Sequence, residues 1–162
     1  MTESLFESEE TPDFSGGGLM SVVKAMLDGH DYRYHEISAN SLTVRIRNKH
    51  GVYTVFFSTN DKTDLVRVLC SYGPYVPESR RAAVAEAVSR INIQLWLGNF
   101  ELDFSDGEIR HRMSIDVESG LLSGKMVDNM LGFTLNSMDR FNVPLMRVAF
   151  GGVEPELALA SV

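Results

Sequence analysis

The stretch NIQLWLGNFELDFSDGEIRHRMSID, Asn92 to Asp116, decides the fold. It holds the only Trp of the chain, Trp96, then a Gly98-Asn99 pair, four carboxylates from Glu101 to Glu108, and His111 between Arg110 and Arg112. Residue types alone would suggest an acid–base site, but the periodicity suggests otherwise. Asp106-Gly107 is flanked by runs that alternate apolar and polar residues, the signature of a two-residue hairpin loop, here a type I′ turn. That turn sets the register: Ser105 opposite Glu108, Phe104 opposite Ile109, Asp103 opposite Arg110, Leu102 opposite His111, Glu101 opposite Arg112, and Phe100 opposite Met113. Phe100, Leu102, Phe104, Ile109, Met113 and Ile115 then share one face. Glu101 and Asp103 meet Arg112 and Arg110 on the other, as cross-strand pairs worth about 0.2–1 kcal/mol each. The carboxylates are accounted for as a solvated sheet face.

His111 shares the apolar side. It is either a base or ligand, or a core histidine bonded to a backbone carbonyl; the second reading is preferred. Gly98-Asn99 makes the bend into the hairpin, and Trp96 before it is expected to be an anchor rather than a site residue.

Upstream of the hairpin, VPESRRAAVAEAVSRINIQL has helical spacing. Pro77 suits the first helical position, Glu78 complements the helix dipole, and Ala82, Ala83, Ala85 and Ala87 favour the helix. Val84, Val88, Ile91 and Leu95 form its buried stripe. Further upstream the period is two. YRYHEIS (32–38), SLTVRIR (41–47), VYTVFFS (52–58) and DLVRVLCSY (64–72) are rich in β-branched and aromatic residues and separated by turn residues. Leu42, Val44 and Ile46 alternate with Thr43, Arg45 and Arg47. The loops are too short for parallel crossovers, so these are antiparallel strands. Before them, LMSVVKAML (19–27) carries an i, i+3, i+4, i+7 stripe and ends at Asp28-Gly29.

Downstream, Lys125–Phe141 reads as a third helix with Met126, Met130, Phe133 or Thr134, Met138 and Phe141 inward. Pro144 is expected to break or restart it. The order helix, four strands, helix, two strands, helix predicts an α+β fold of two layers, with helices covering one face of an antiparallel sheet. The other face must be polar or meet a partner. Residues 1–18 read as a flexible, acidic, Gly-rich tail, 19–150 as a single domain, and 151–162 as a C-terminal tail.

The chain has 162 residues and a net charge of −7. One cysteine, Cys70, forms no internal disulfide, which predicts a reducing, cytoplasmic setting. No run is long and apolar enough for a membrane span, and the acidic N-terminus lacks the apolar stretch of a signal peptide. The acidic balance disfavours nucleic acid, because the clusters at Arg45/Arg47/Lys49, Arg80-Arg81 and Arg110/Arg112 lack interleaved aromatics for base stacking. Ser15–Gly18 precedes a helix, but no strand precedes it and no Gly-Lys-Ser/Thr follows, so it is no phosphate loop. His30, His35, His50 and His111 lack ligand spacing, Cys70 lacks a CxxC partner, and no serine sits in G-x-S-x-G. No metal, cofactor or catalytic residue is therefore expected.

Val76-Pro77, Arg81, Arg90-Ile91-Asn92, Gly98-Asn99-Phe100-Glu101 and Asp106-Gly107-Glu108, together with the element order over Leu19–Phe150, resemble the YbjN family of bacterial sensory transduction regulators. The resemblance implies a fold similar to type III secretion chaperones, often dimeric. It implies links to stress and signalling, and no catalytic residue. The expected function is a non-enzymatic protein-binding module, a chaperone-like adaptor or regulator and a homodimer. It would bind a protein or peptide through a sheet edge by strand addition, or through the methionines Met126, Met130, Met138 and Met146 where these do not fill the core. The alternative is a small-ligand sensor or enzyme with His111, Cys70, Tyr72 and Tyr75 converging in one pocket.

Overall fold

The computed structural model describes residues 18–71, 73–118, 121–160 and 162. The predicted tail up to residue 17, and Tyr72, lie outside the described residues. The chain runs α1 (Leu19–Gly29), β1 (Tyr34–Ser38), β2 (Ser41–Asn48), β3 (Gly51–Asn60), β4 (Leu65–Ser71), a 3-10 turn (Glu78–Arg80), α2 (Arg81–Asn92), β5 (Asn99–Leu102), β6 (Ile109–Asp116), α3 (Gly124–Ala149) and α4 (Pro155–Leu159). The strands form one antiparallel sheet of order β1-β2-β3-β4-β6-β5. This is the α+β arrangement that the change of period from 3.6 to 2 and back predicts. α2 carries the chain over the sheet, so β6 pairs with β4 and the short β5 becomes an edge.

The inner face collects Leu42, Val44 and Ile46 of β2, Tyr53, Val55 and Phe57 of β3, Val66, Val68 and Cys70 of β4, and Phe100, Ile109, His111 and Met113 of the hairpin, all buried. Against it lie Val22, Val23 and Leu27 of α1, Val84, Ala87, Val88 and Ile91 of α2, and the stripe of α3. That stripe contains Met130 and Met138 with Val127, Leu131, Thr134 and Leu135, so two of the four methionines are core filling; Met126 and Met146 are half-buried. Thr134, not Phe133, faces inward.

α3 does not break at Pro144. Proline inside a helix costs about 3 kcal/mol through a lost hydrogen bond and a steric clash. Here Phe141, Pro144, Leu145, Val148 and Ala149 are all buried, and their packing offsets that cost. The segment expected as a C-terminal tail contains α4, which buries Pro155 and Ala158; Arg80 donates to Val148 O (2.9 Å) and Val153 O (3.1 Å) beside it. The β2–β3 turn is tied to α3 by Asp139, whose carboxylate accepts from the backbone of Lys49 and His50 (both 3.1 Å) and from the Tyr53 hydroxyl (2.8 Å).

The hairpin exists, but its register differs from the expected one. Phe100 pairs with His111, Glu101 with Arg110 and Leu102 with Ile109. The loop is not a two-residue type I′ turn. Asp103 N donates to Glu108 O (2.9 Å) and Gly107 N to Asp103 O (2.7 Å), so four residues turn the chain. Asp103 is the reason: its carboxylate accepts from both N and Oγ of Ser105 (2.9 and 2.6 Å), closing the loop one residue pair early. The slip is two residues, so every side chain keeps its face, except that Phe104 leaves the sheet for the exposed loop.

Candidate protein-interaction surface

His111 and Cys70 are cross-strand neighbours on the inner face. Both are fully buried, and neither lines the grooves at Met26–Asp128, Trp96–Phe133 or His50–Phe150. Phe100 meets the imidazole edge-on with ring centroids 5.1 Å apart. On another side is Gly98, φ +72°, where an added Cβ would sit 2.5 Å from His111 Cε1 and 2.8 Å from Arg112 O. Neither ring nitrogen has a hydrogen-bond partner among the described residues, contrary to the expected carbonyl contact. Burial pushes the imidazole down to about 4, with Glu101 opposing weakly, and burial pushes the Cys70 thiol up to about 12. A neutral imidazole and a protonated thiol, walled from solvent, are poor bases and nucleophiles. Tyr75 is exposed elsewhere, so His111, Cys70 and Tyr75 do not converge in a cleft, and Tyr72 lies outside the described residues. No cluster there of three or more His, Cys, Asp or Glu could hold a metal ion.

The residues that looked diagnostic in the sequence hold the hairpin onto α2. Arg81 donates to Val76 O (3.2 Å) and Phe104 O (2.7 Å). Val76 N donates to Gly107 O (2.8 Å), and with φ +89° a Cβ on Gly107 would come 2.3 Å from Val76 O. At the end of α2, the Asn92 amide accepts from Phe100 N (2.8 Å) and donates to Phe100 O (3.0 Å). One side chain thereby satisfies both outward backbone groups of Phe100, as a neighbouring strand would. Glu101 gathers Arg110 (2.9 Å) and Arg112 (3.1 Å) on the outer face. Burial raises its carboxyl, but the Arg110 hydrogen bond and the Arg112 charge outweigh this and hold it below the usual range.

These contacts change the candidate binding surface. Strand addition at β5 is blocked over Phe100 by Asn92. At the other edge, β1 is five residues long and bulged between Glu36 and Ser38, features that discourage edge pairing. The apolar surface lies elsewhere. Asn92, rather than Trp96, is the anchor at the helix end, and the chain beyond it runs outside the core. Trp96 is 98% exposed, Ile93 85%, Phe133 48% and Leu97 44%. Trp96, Leu97 and Phe133 line a groove of about 230 Å³ whose walls also include Leu95, Ser137, Arg140 and Phe141. Arg140 lies over the Phe141 ring at 4.9 Å. The sequence cue was Ile93-Gln94-Leu95-Trp96-Leu97, four apolar residues in five; with α2 ending at Asn92, the core cannot take them all.

Residues 20–143 match the YbjN family, described as "Putative bacterial sensory transduction regulator". Among solved structures, E. coli YbjN, described as "a putative transcription regulator", aligns with a TM-score of 0.53 at 16% identity, covering 82% of this chain and 90% of that one. A chain of the HopA1–SchA chaperone–effector complex aligns with a TM-score of 0.53 at 14% identity, covering 75% and 90%. No curated protein matches the sequence. At such identities the structural likeness establishes the fold alone. No helix among the described residues is long and apolar enough to cross a membrane. With the family match spanning residues 20–143 of 162 and the same sheet-and-helix architecture, the chain belongs to the YbjN family.

Proposed function

We propose that this chain is a non-enzymatic protein-binding module, a chaperone-like adaptor or regulator in bacterial stress or signalling. The carrying observation is the exposed Trp96–Leu97–Phe133 surface along its groove. Contiguous apolar patches of this kind mark protein contacts, and Trp is among the residues most enriched at energetic centres of interfaces. The occupant is a protein segment presenting apolar side chains, with Arg140 at the rim favouring a nearby carboxylate. The likeness to a chain of a chaperone–effector complex supports this reading, as does the closed His111–Cys70 region. A reducing, cytoplasmic setting fits the single buried thiol.

A homodimer is the second reading, favoured by one observation: Trp96 projects at the rim of an apolar groove. In a two-fold pair each indole could enter the other copy's groove.

Trp96 is the only Trp, so its emission reports directly on this surface. A photo-crosslinker placed at Phe133 in the native bacterium should capture a discrete protein. Trp96→Ala should weaken that purified pair by about 2 kcal/mol, roughly 30-fold. Trp emission that shifts to the red on dilution of the chain alone would favour the homodimer. Unchanged partner affinity in Trp96→Ala, with concentration-independent emission, would refute both readings.

A further inference from the structure

The outer sheet face lies opposite the side on which the helices pack. Its cross-strand rows read His35–Thr43–Phe56–Leu69–Arg112–Asn99, Arg45–Thr54–Ser71–Arg110–Glu101 and Ser41–Ser58–Arg67–Ser114, with Arg47 opposite Val52. Five arginines thus share a face with Glu101 and Asp116, and Glu108 at its margin pairs with Arg110 (3.4 Å), in a chain of net charge −7. Glu101 occupies Arg110 and Arg112, and Arg67 Nε donates to Ser58 Oγ (3.0 Å). Arg45 and Arg47 are exposed and form no ion pair among the described residues. Phe56 and Leu69 are half-buried at the centre. The face is apolar in the middle and positive around it.

The chain contains a segment of matching composition. Residues 1–17, MTESLFESEETPDFSGG, carry Glu3, Glu7, Glu9, Glu10 and Asp13, no Lys or Arg, and the apolar Leu5, Phe6 and Phe14. The segment joins the body at the β3–β4 turn, where Leu19 N donates to Asp61 Oδ1 (2.8 Å). From that end of the sheet, Phe56 and Leu69 lie four positions along β3 and β4 from Asn60 and Leu65, about 13 Å away. Phe14 is four residues before Gly18, a reach of roughly 14 Å. Arg45 and Arg110 lie two positions further, within reach of the acids that precede Phe14.

The geometry points to an internal ligand: the acidic N-terminal segment docks on the outer sheet face, its aromatic residues on Phe56 and Leu69 and its carboxylates toward Arg45, Arg47 and Arg67. Tethering makes the contact effectively intramolecular, at a local concentration on the millimolar scale. The segment shields this face from other acidic polypeptides.

The test uses the full chain and a full-length variant with E3Q, E7Q, E9Q, E10Q and D13N together. Amide NMR shifts of Arg45, Arg47, Phe56, Arg67 and Leu69 should differ between the two. About 1 M NaCl, where the Debye length is near 3 Å, should move the parent toward the variant. Poly-L-glutamate should bind the variant about tenfold more tightly than the parent, and R45E/R47E should abolish that gain. Superimposable spectra with equal polyglutamate affinity would overturn the proposal. So would parent shifts that change on dilution, which would place the segment on a second copy.

Discussion

Asn92→Ala isolates the clamp that holds the β5 edge. The wild-type amide makes two hydrogen bonds to Phe100, at 2.8 and 3.0 Å. Each contributes about 1 kcal/mol net, and a partly buried N–H left unpaired adds about 1 kcal/mol or more. The substitution should therefore cost about 2–3 kcal/mol. With a urea m-value of about 1–3 kcal/mol/M, the unfolding midpoint should fall by about 0.7–3 M. A matched control is Gln94→Ala, an exposed neighbour whose amide makes a single 3.4 Å contact to Arg90 O; it should stay within about 0.5 kcal/mol of the parent. The uncapped edge should also make Asn92→Ala more prone to self-association in sedimentation at equal concentration. An Asn92→Ala midpoint indistinguishable from that of Gln94→Ala would refute the clamp, and with it the reason for excluding strand addition at β5.

Three further outcomes follow from the same geometry. Gly107→Val should lower stability by about 2–4 kcal/mol in chemical denaturation, since φ +89° is unfavourable for a β-branched residue and the new Cβ would meet Val76 O; an unchanged melting temperature would contradict the turn. His111→Met should match or exceed parent stability near neutral pH, because no hydrogen bond is lost. The parent, with its imidazole lowered from 6.5 to about 4, binds fewer protons folded than unfolded in that window. Its stability should fall as pH drops from about 6.5 to about 4, by about 3 kcal/mol more than that of His111→Met; parallel pH profiles would count against a buried neutral imidazole. Asp139→Ala should release the β2–β3 turn and cost about 2–4 kcal/mol, with faster hydrogen exchange at Lys49 and His50; unaltered exchange there would rule out the Asp139 tie.

The architecture places the residues that carried the resemblance in structural roles. Arg81, Asn92, Gly98, Glu101 and Gly107 all join α2 to the β5–β6 hairpin or fix the hairpin's own shape. None of them lines the apolar groove at Trp96. The fold and the candidate binding surface are consequently specified by different residues.

Periodicity alone determined the two-layer α+β fold. Alternation at period two and stripes at period 3.6 say which face of each element avoids water, and that preference is local. It also placed His111 on the apolar side, and a register error of two residues left that assignment intact because side chains repeat every two. What the sequence could not settle was competition between distant partners. Burial of five residues around Pro144 overrode a local helix breaker. Asp103 bonded its own loop instead of Arg110 and moved the register. The Asn92 amide reached Phe100 and made itself the anchor, leaving Trp96 on the surface. Local preference is written in the order of residues, whereas which polar group reaches which backbone atom depends on the packed geometry. Only the tertiary structure could therefore turn the cluster of acids and a histidine into a clamp, and the tryptophan beside it into a contact surface.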